Sequence, residues 1–451
     1  MLFLKNIFNW KQKTFSDKKK ENSFAEDEQK FFRKKVVIGV DDSGNPVKEE
    51  RQISLHFKTE NGYINVENPF RNIGIFGTGK SKALIGSLIM QMIQQKFTGL
   101  VYESSDNYNN PLFWSHIDSQ KSEFYEINFR QLTLDMLRFN PLHPSQIRQT
   151  GVANRYTELL LNIFLCEEDN HFSKVQYDAY LSAIIWYLRE EYPEYCTLPH
   201  LWSLVVYGNP YDIILMLNKN PWCAMRLSGL GAGPSISVIG ELQTNLAKSL
   251  SKELFWILSG EDFILDFNNP SSPKWIFLKD DLNDEIKQKY SSFIISVAAT
   301  QATFMDKLPY SLIIDGIRNL SSVLSNLQEA MVFRHNGAVV ARGDYHDTLG
   351  LSHLGNLFLG QEFNQEFIDH IIEISNWRGV TILHEDITES PIGKFWVKTT
   401  DSVIFDKIIL DEHEQLALAS SNTTQDTQEL ISQKELDENF DRIKKEALSL
   451  I

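Results

Sequence analysis

Residues 74–81 read Gly-Ile-Phe-Gly-Thr-Gly-Lys-Ser, a complete G-x-x-x-x-G-K-[ST] phosphate loop, and no other stretch limits so tightly what this chain can fold into. Gly74, Gly77 and Gly79 let the backbone turn sharply, with Thr78 between them, and aim its N–H groups at phosphate oxygens. Lys80 would neutralise the β and γ phosphates of ATP, and Ser81 would hold Mg2+ through its hydroxyl. Such a loop joins a strand to a helix whose N-terminal dipole faces the anion. The sequence supplies both. A short apolar stretch leads into Gly74, and Leu84, Ile85, Leu88, Ile89, Met92 and Ile93 follow at the spacing of a buried helical stripe. The bland alternative is a glycine-rich turn with no ligand.

A phosphate-loop protein also needs an acid at the end of a neighbouring apolar strand, to order the water shell of Mg2+. Ser311-Leu312-Ile313-Ile314-Asp315 offers Asp315, although any strand can end in Asp at a turn. The next residue is Gly316, where many such ATPases carry a Glu that orients or deprotonates the attacking water. Glycine does neither. Nucleotide binding therefore reads as intact and hydrolysis as impaired, and Gly316→Glu is expected to raise turnover.

The rest of the chain reads as α/β. Residues 36–40 and 53–57 look like short strands around a turn-rich segment, and 275–278, 311–315 and 338–342 have the apolar density of buried parallel strands, with 97–103 a further strand. Between them, 150–260 is mainly helical, with periodic runs at 156–164, 177–188 and 238–258. Beyond about residue 412 the chain turns polar and acidic and ends in an expected exposed helix, 428–450.

Composition excludes several classes. The 451 residues carry a net charge of −15, which argues against coating nucleic acid through a general basic surface and leaves room only for a local groove. Residues 1–35 are the exception, with ten Lys or Arg against five acids. Their first part, studded with Leu, Phe and Trp, reads either as an end that docks on its own protein or as an interfacial or partner-binding helix. The three cysteines, Cys166, Cys196 and Cys223, are too few and too scattered for a disulfide framework or a zinc site, and point to a reducing compartment. No apolar run reaches the roughly 20 residues of a membrane-spanning helix. Gly-rich 229–234 reads as a hinge; Asp344, His346, Asp347 and His353 as a polar loop and not a metal site; Trp114, Tyr125 and Phe129 as core and not a base-stacking platform.

An ordered set of segments carries a family likeness. It runs from Glu67-Asn68-Pro69-Phe70-Arg71 through the phosphate loop, 97–103, Arg138-Phe139-Asn140-Pro141-Leu142, 183–188 and Tyr195-Cys196-Thr197-Leu198-Pro199-His200. Ser259-Gly260-Glu261-Asp262-Phe263, 265–270, the Asp315 strand and 355–361 complete it. Over about 66–380 the chain resembles the TraG/TraD-type coupling ATPases of conjugation and mobilisation systems, the mobilisation branch especially. The resemblance implies a RecA-like P-loop NTPase domain with an inserted all-α domain. It divides the chain into a basic arm (1–35), a first NTPase part (36–148), the all-α insertion (149–262), a second NTPase part (263–411) and a polar tail (412–451). It also implies a ring, usually hexameric, with nucleotide between subunits, placed in the cytoplasm at the inner face of the cytoplasmic membrane, at the mouth of a secretion channel.

Three departures shape the functional expectation. Family members usually begin with membrane-spanning helices, which this sequence lacks. They have Asp-Glu where this chain has Asp315-Gly316. They end the following strand in Gln, whose nearest counterpart here is Asp344; a negative charge there would need metal or one of Arg318, Arg334 and Arg342 to offset it. The expected function is a coupling-protein-like component of a bacterial secretion apparatus that binds Mg-ATP with weak or absent hydrolysis. It would serve as an adaptor or structural subunit of a secretion or injection machine, a type VI-like one among them. It would be a homo-oligomer or a machine subunit, reaching the membrane through a partner or the N-terminal arm. The runner-up is an active coupling ATPase that delivers DNA or a protein–DNA substrate to a conjugative type IV channel. A metabolic NTPase has no substrate-binding signature behind it.

Overall fold

A computed structural model describes residues 35–51, 53–77, 81–104, 122–165, 171–229, 234–304, 306–316, 336–343, 354–361, 383–389, 394–399, 403–409 and 429–451, with a few residues at 323–331 and 365–372. Expectations that fall on the arm 1–34, Thr78, Gly79, Lys80, Trp114, Cys166, 230–233, Arg318, Arg334, Asp344, His346, Asp347, His353 and 410–428 lie outside the described residues.

Two antiparallel hairpins come first, β1 (Lys35–Val40) with β2 (Pro46–Glu50), and β3 (Leu55–Thr59) with β4 (Gly62–Val66). Leu55, Phe57 and Thr59 alternate inward along β3, so the second strand of the sequence reading begins two residues later than expected. The main sheet contains β5 (Ile73–Phe76), β6 (Thr98–Glu103), β7 (Glu123–Asn128), β8 (Asn268–Asn269), β9 (Ser272–Lys279), β10 (Tyr310–Asp315), β11 (Gly337–Arg342), β12 (Asn356–Leu359), β13 (Lys394–Lys398) and β14 (Val403–Lys407). Their order is β14-β13-β12-β5-β11-β10-β6-β9-β7, with β8 beside β9. From β12 to β7 the strands run parallel, and β13 and β14 close that end antiparallel. Burial on both faces explains why these strands read as continuous apolar runs.

The helix after the phosphate loop, α1 (Ser81–Gln94), lays its expected stripe of Leu84, Ile85, Leu88, Ile89, Met92 and Ile93 on one sheet face, all at 0–1% exposure. At about 1.5–3 kcal/mol per buried aliphatic side chain, this face alone fixes the helix. The opposite face shares a single apolar cluster with the helical run. That run comprises α2 (Thr150–Phe164), α3 (His171–Glu191), α4 (Leu198–Tyr207), α5 (Pro210–Leu217), α6 (Pro221–Ser228), α7 (Ile236–Ala247) and α8 (Lys252–Ile257). The periodic stretch 238–258 is thus two helices and not one. Ser251 breaks it by taking an extended conformation and accepting from the Leu254 N–H as the cap of α8. Helix α9 (Glu285–Ala302), capped by Asp284, ties both parts together through Trp202–Tyr290 and Tyr156–Gln301 hydrogen bonds of 2.7 and 2.8 Å.

The chain enters and leaves the helical run at one place. The Arg138 N–H donates to the Asp262 carboxylate at 2.7 Å, and the Asp262 N–H returns to the Arg138 carbonyl at 2.9 Å. The guanidinium lies 4.5 Å from the Trp256 ring, and Phe139 stacks on Phe263 at 5.2 Å. Gly260 has no alternative here, because a Cβ would fall on the Arg138 side chain.

A short helix, α10 (His384–Thr388), and a longer one, α11 (Gln433–Leu448), follow. The expected exposed helix is present as α11, but only one of its sides is exposed and the other is docked. It is set by a capping box, Ser432 with Glu435, and buries Leu436, Asn439, Ile443 and Ala447. Phe440 packs at 4.9 Å from Phe255, and Glu446 reaches the buried His200 at 3.1 Å. Its polarity hid a narrow apolar stripe with helical period. Phe129 is buried and Tyr125 stacks on Phe263, as the core reading holds.

Candidate functional site

The site lies where the parallel strands end and α1 begins. Strand β5 runs into Gly77, whose φ of +81° is a conformation that L side chains rarely adopt. A Cβ there would stand 2.5 Å from the Gln361 carbonyl oxygen, and Gly360 donates its N–H to the Phe76 carbonyl at 2.9 Å. The segment after β12 therefore braces the start of the phosphate loop. Ser81 opens α1 on the far side of the loop. Gly74 differs from the expectation that it offers an amide to phosphate. It sits inside β5, in register with Ala341 and Leu357, and its missing side chain makes room for Phe76, Leu354 and Leu357.

Parity along the strands places the charged residues. Ile73, Ile75, Val101, Phe277, Ile313 and Val340 all join the cluster under α1, so residues two further on from the last of them point to the same face. One rung then carries Arg342, Asp315, Glu103 and Lys279 across β11, β10, β6 and β9, with Ile75 level on β5. Asp315 is two strands, or about 10 Å, from β5 at ordinary strand spacing. It is fully buried, and its Oδ1 accepts from the Nε of Arg342 in an ion pair. Lys279 is paired in turn with Glu126 at 2.8 Å.

Gly316 has a φ of +73°, and a Cβ on it would run into the Ser104 hydroxyl. The expectation that Gly316→Glu raises turnover meets a steric obstacle here. A side chain at 316 would have to take a left-handed backbone and turn the Ser104 hydroxyl aside.

On the sheet's other face, burial pushes the Asp280 carboxyl up to about 6, against hydrogen bonds from Tyr102 and the Asp281 N–H. Arg130 donates to the carbonyls of Asp280 and Glu103 at 2.7 and 3.0 Å and so fixes the ends of β9 and β6. At the opposite end of the sheet, Asn72 (φ +63°) and Asn356 clip β5, β11 and β12 by side-chain hydrogen bonds of 2.9–3.1 Å. The Asn68–Arg71 and 355–361 segments are thus framework.

Of the expected site residues, the structure brings Gly77, the start of α1 at Ser81, and Asp315 to one edge and one face. A carboxylate such as Asp315 is a hard oxygen donor of the kind Mg2+ takes, and Asp315 already carries the positive charge of Arg342 as its counter-ion. Bound there, Mg2+ would neutralise phosphate oxygens. Among the described residues no group of three or more His, Cys, Asp or Glu forms a metal cluster. Sequence reading missed Glu103 and Ser104, although the strand ending at 103 was visible, because only register shows which strand ends adjoin Asp315. It named Arg342 without its partner.

No protein-family profile and no curated protein matches the chain. Solved structures do. The unbound monoclinic form of the bacterial conjugative coupling protein TrwBdeltaN70 superposes with a TM-score of 0.55 at 13% identity, covering 80% of this chain and 89% of that one. The plasmid coupling protein TrwB in complex with the non-hydrolysable GTP analogue GDPNP gives 0.53 at 12% identity over 76% and 86%. TrwB with ADP and Mg2+ gives 0.50 at 13% identity over 76% and 86%. The chain shares their fold.

Proposed function

We propose that this chain is a coupling-protein-like P-loop component of a bacterial secretion apparatus, which binds Mg-ATP between the 77–81 loop and Asp315 and turns it over weakly or not at all. The observation that carries this is the joint of β5, Gly77 and α1 on the same face as Asp315, in a fold whose neighbours include TrwB bound to ADP and Mg2+. In this reading Lys80 meets the β and γ phosphates, Thr78 and Gly79 supply amides, and Ser81 with Asp315 holds the metal. Slow turnover follows from Gly316, since a lost water-orienting group costs about 10²–10⁴-fold in rate.

Residues 149–262 act as the inserted all-α domain, consistent with the shared entry and exit at Arg138 and Asp262. Bound nucleotide would then stabilise subunit contacts by mass action, in a homo-oligomer or within the machine, at the inner face of the cytoplasmic membrane. In this reading a partner or the 1–35 arm supplies the attachment; no helix among the described residues is long and apolar enough to cross a membrane. Light scattering tests this: mass should rise on adding Mg-ATP and stay raised, with negligible phosphate release. Unchanged mass with and without Mg-ATP contradicts it.

The second reading, an active coupling ATPase delivering DNA, is favoured by the conjugative proteins that share the fold. Brisk hydrolysis together with salt-dependent DNA binding would select it.

A further inference from the structure

The last strand of the chain and the helix that follows it sit at opposite ends of the main sheet. Strand β14 forms one end and β7 the other, eight strand spacings or about 38 Å across. The chain leaves the β14 end at Ile409, whose N–H donates to the Lys58 carbonyl at 2.8 Å. Among the described residues it resumes just past β7. There Leu134 donates its N–H to the Glu429 carbonyl at 3.0 Å, and Leu430 bridges antiparallel to Thr133. Helix α11 then packs on α4 and α8. Residues 410–428 lie outside the described residues, and only their number enters here: the twenty steps from Ile409 to Glu429 reach at most about 70 Å. Connections inside compact domains have a median of about 4–6 residues and mostly join neighbouring elements. A tether nearly twice as long as the crossing does not fix which copy's groove receives α11.

The helix and its groove form a self-contained match. Helix α11 carries its own capping box and an Arg442–Glu446 pair one turn apart, so local interactions favour the helix before it docks. It brings Asp437 to Lys252 at 2.7 Å, Glu446 to His200 at 3.1 Å and the Phe440 ring to that of Phe255 at 4.9 Å. Lys444 stands 3.9 Å from the centre of the Tyr207 ring. Each of these contacts is to α4 or α8, and each is the same whichever copy supplies α11. A chain's own groove and a neighbour's therefore compete through the tether alone. A head-to-tail neighbour sets its β7 end beside this chain's β14 end, and the tether then no longer has to cross the sheet. We infer that α11 is an exchanged helix: in the assembled protein, residues 429–451 of one copy dock on α4 and α8 of the next. The partner is a second copy of this chain, and head-to-tail exchange makes a ring when the rotation between copies closes. The inference rests on the homo-oligomer part of the reading above and on none of its nucleotide contacts.

The test mixes equal amounts of the natural full chain and the full chain labelled with heavy nitrogen, unfolded in urea and refolded together, with and without Mg-ATP. A carbodiimide then joins Lys252 to Asp437, an ion pair at 2.7 Å whose side chains are both nearly half exposed. Exchange yields linked Lys252–Asp437 peptides with one light and one heavy partner, about half of all such links at random assortment. Docking on the same copy yields only all-light and all-heavy links. Asp437→Asn cannot form the link and so identifies the peptide. Light scattering gives the mass of the refolded sample beside protein that was never unfolded. Should the two differ, folded samples mixed and held to a constant label distribution read the same links. An oligomer whose links are all like-labelled, or that forms no such link, overturns the exchange and leaves the homo-oligomer standing. A monomer under both conditions overturns the exchange and the homo-oligomer reading together.

Discussion

Gly316 and Ser104 face each other across the ends of β10 and β6, so closely that no side chain can be added at 316 without moving the Ser104 hydroxyl. Gly316→Glu should therefore not raise phosphate release above the native rate. It should cost about 1–2 kcal/mol of stability for the left-handed backbone. Steady-state phosphate release and a denaturant melt read both. A variant that hydrolyses ATP faster than the native chain contradicts the reading of this corner.

Gly77→Ala should lose about 1–3 kcal/mol, because a side chain at a φ of +81° is strained and the new methyl would meet the Gln361 backbone carbonyl at 2.5 Å. Nucleotide binding should fall with it. Gly151→Ala is the control: it lies in α2 with open space around it and should stabilise by about 0.5–1 kcal/mol. Equal melts for the two variants would show that the brace between β5 and the segment after β12 does not exist.

Ile443 is fully buried where α11 meets the helical run. Ile443→Ala should cost about 2–5 kcal/mol. Limited proteolysis should then cut within α11 in the variant before the rest of the protein, while α11 of the native chain resists. Unchanged proteolysis would make α11 an ornament.

Asp280 gives a pH signature. Its folded carboxyl is pushed up to about 6 by burial, above its unfolded value, so the folded state holds the proton more tightly. The stability this provides is complete below about pH 4 and is lost as pH rises through about 6. Asp280→Asn cannot ionise and should not show the loss. Relative to the variant, the native chain should lose about 3 kcal/mol between pH 4 and pH 7. The changed hydrogen bonds with Tyr102 and the Asp281 N–H add only a pH-independent offset. Parallel profiles would remove the group from the account.

Legibility in the sequence followed the range of the interaction. The α1 stripe, the apolar strands and the order of α and β runs are local patterns, and Leu84 through Ile93 lie where periodicity puts them. The stretch 238–258 misled because its apolar positions stay in phase across the Ser251 cap. Helix α11 misled for a different reason: its stripe is narrow, and its partner, α8, lies nearly two hundred residues earlier in the chain. At the site, Gly77 and Asp315 were legible as chemistry. Glu103, Ser104 and the pairing of Arg342 were not, because they depend on which strand ends lie side by side, and hydrophobic period says nothing about strand order.

Titration of Mg-ATP into the native chain and into Lys80→Ala measures the central claim most directly. The account predicts saturable binding by the native protein that Lys80→Ala abolishes or weakens at least about a hundredfold, the loss of one charge-assisted contact to phosphate. Failure of the native chain to bind, or equal binding by both, would contradict it.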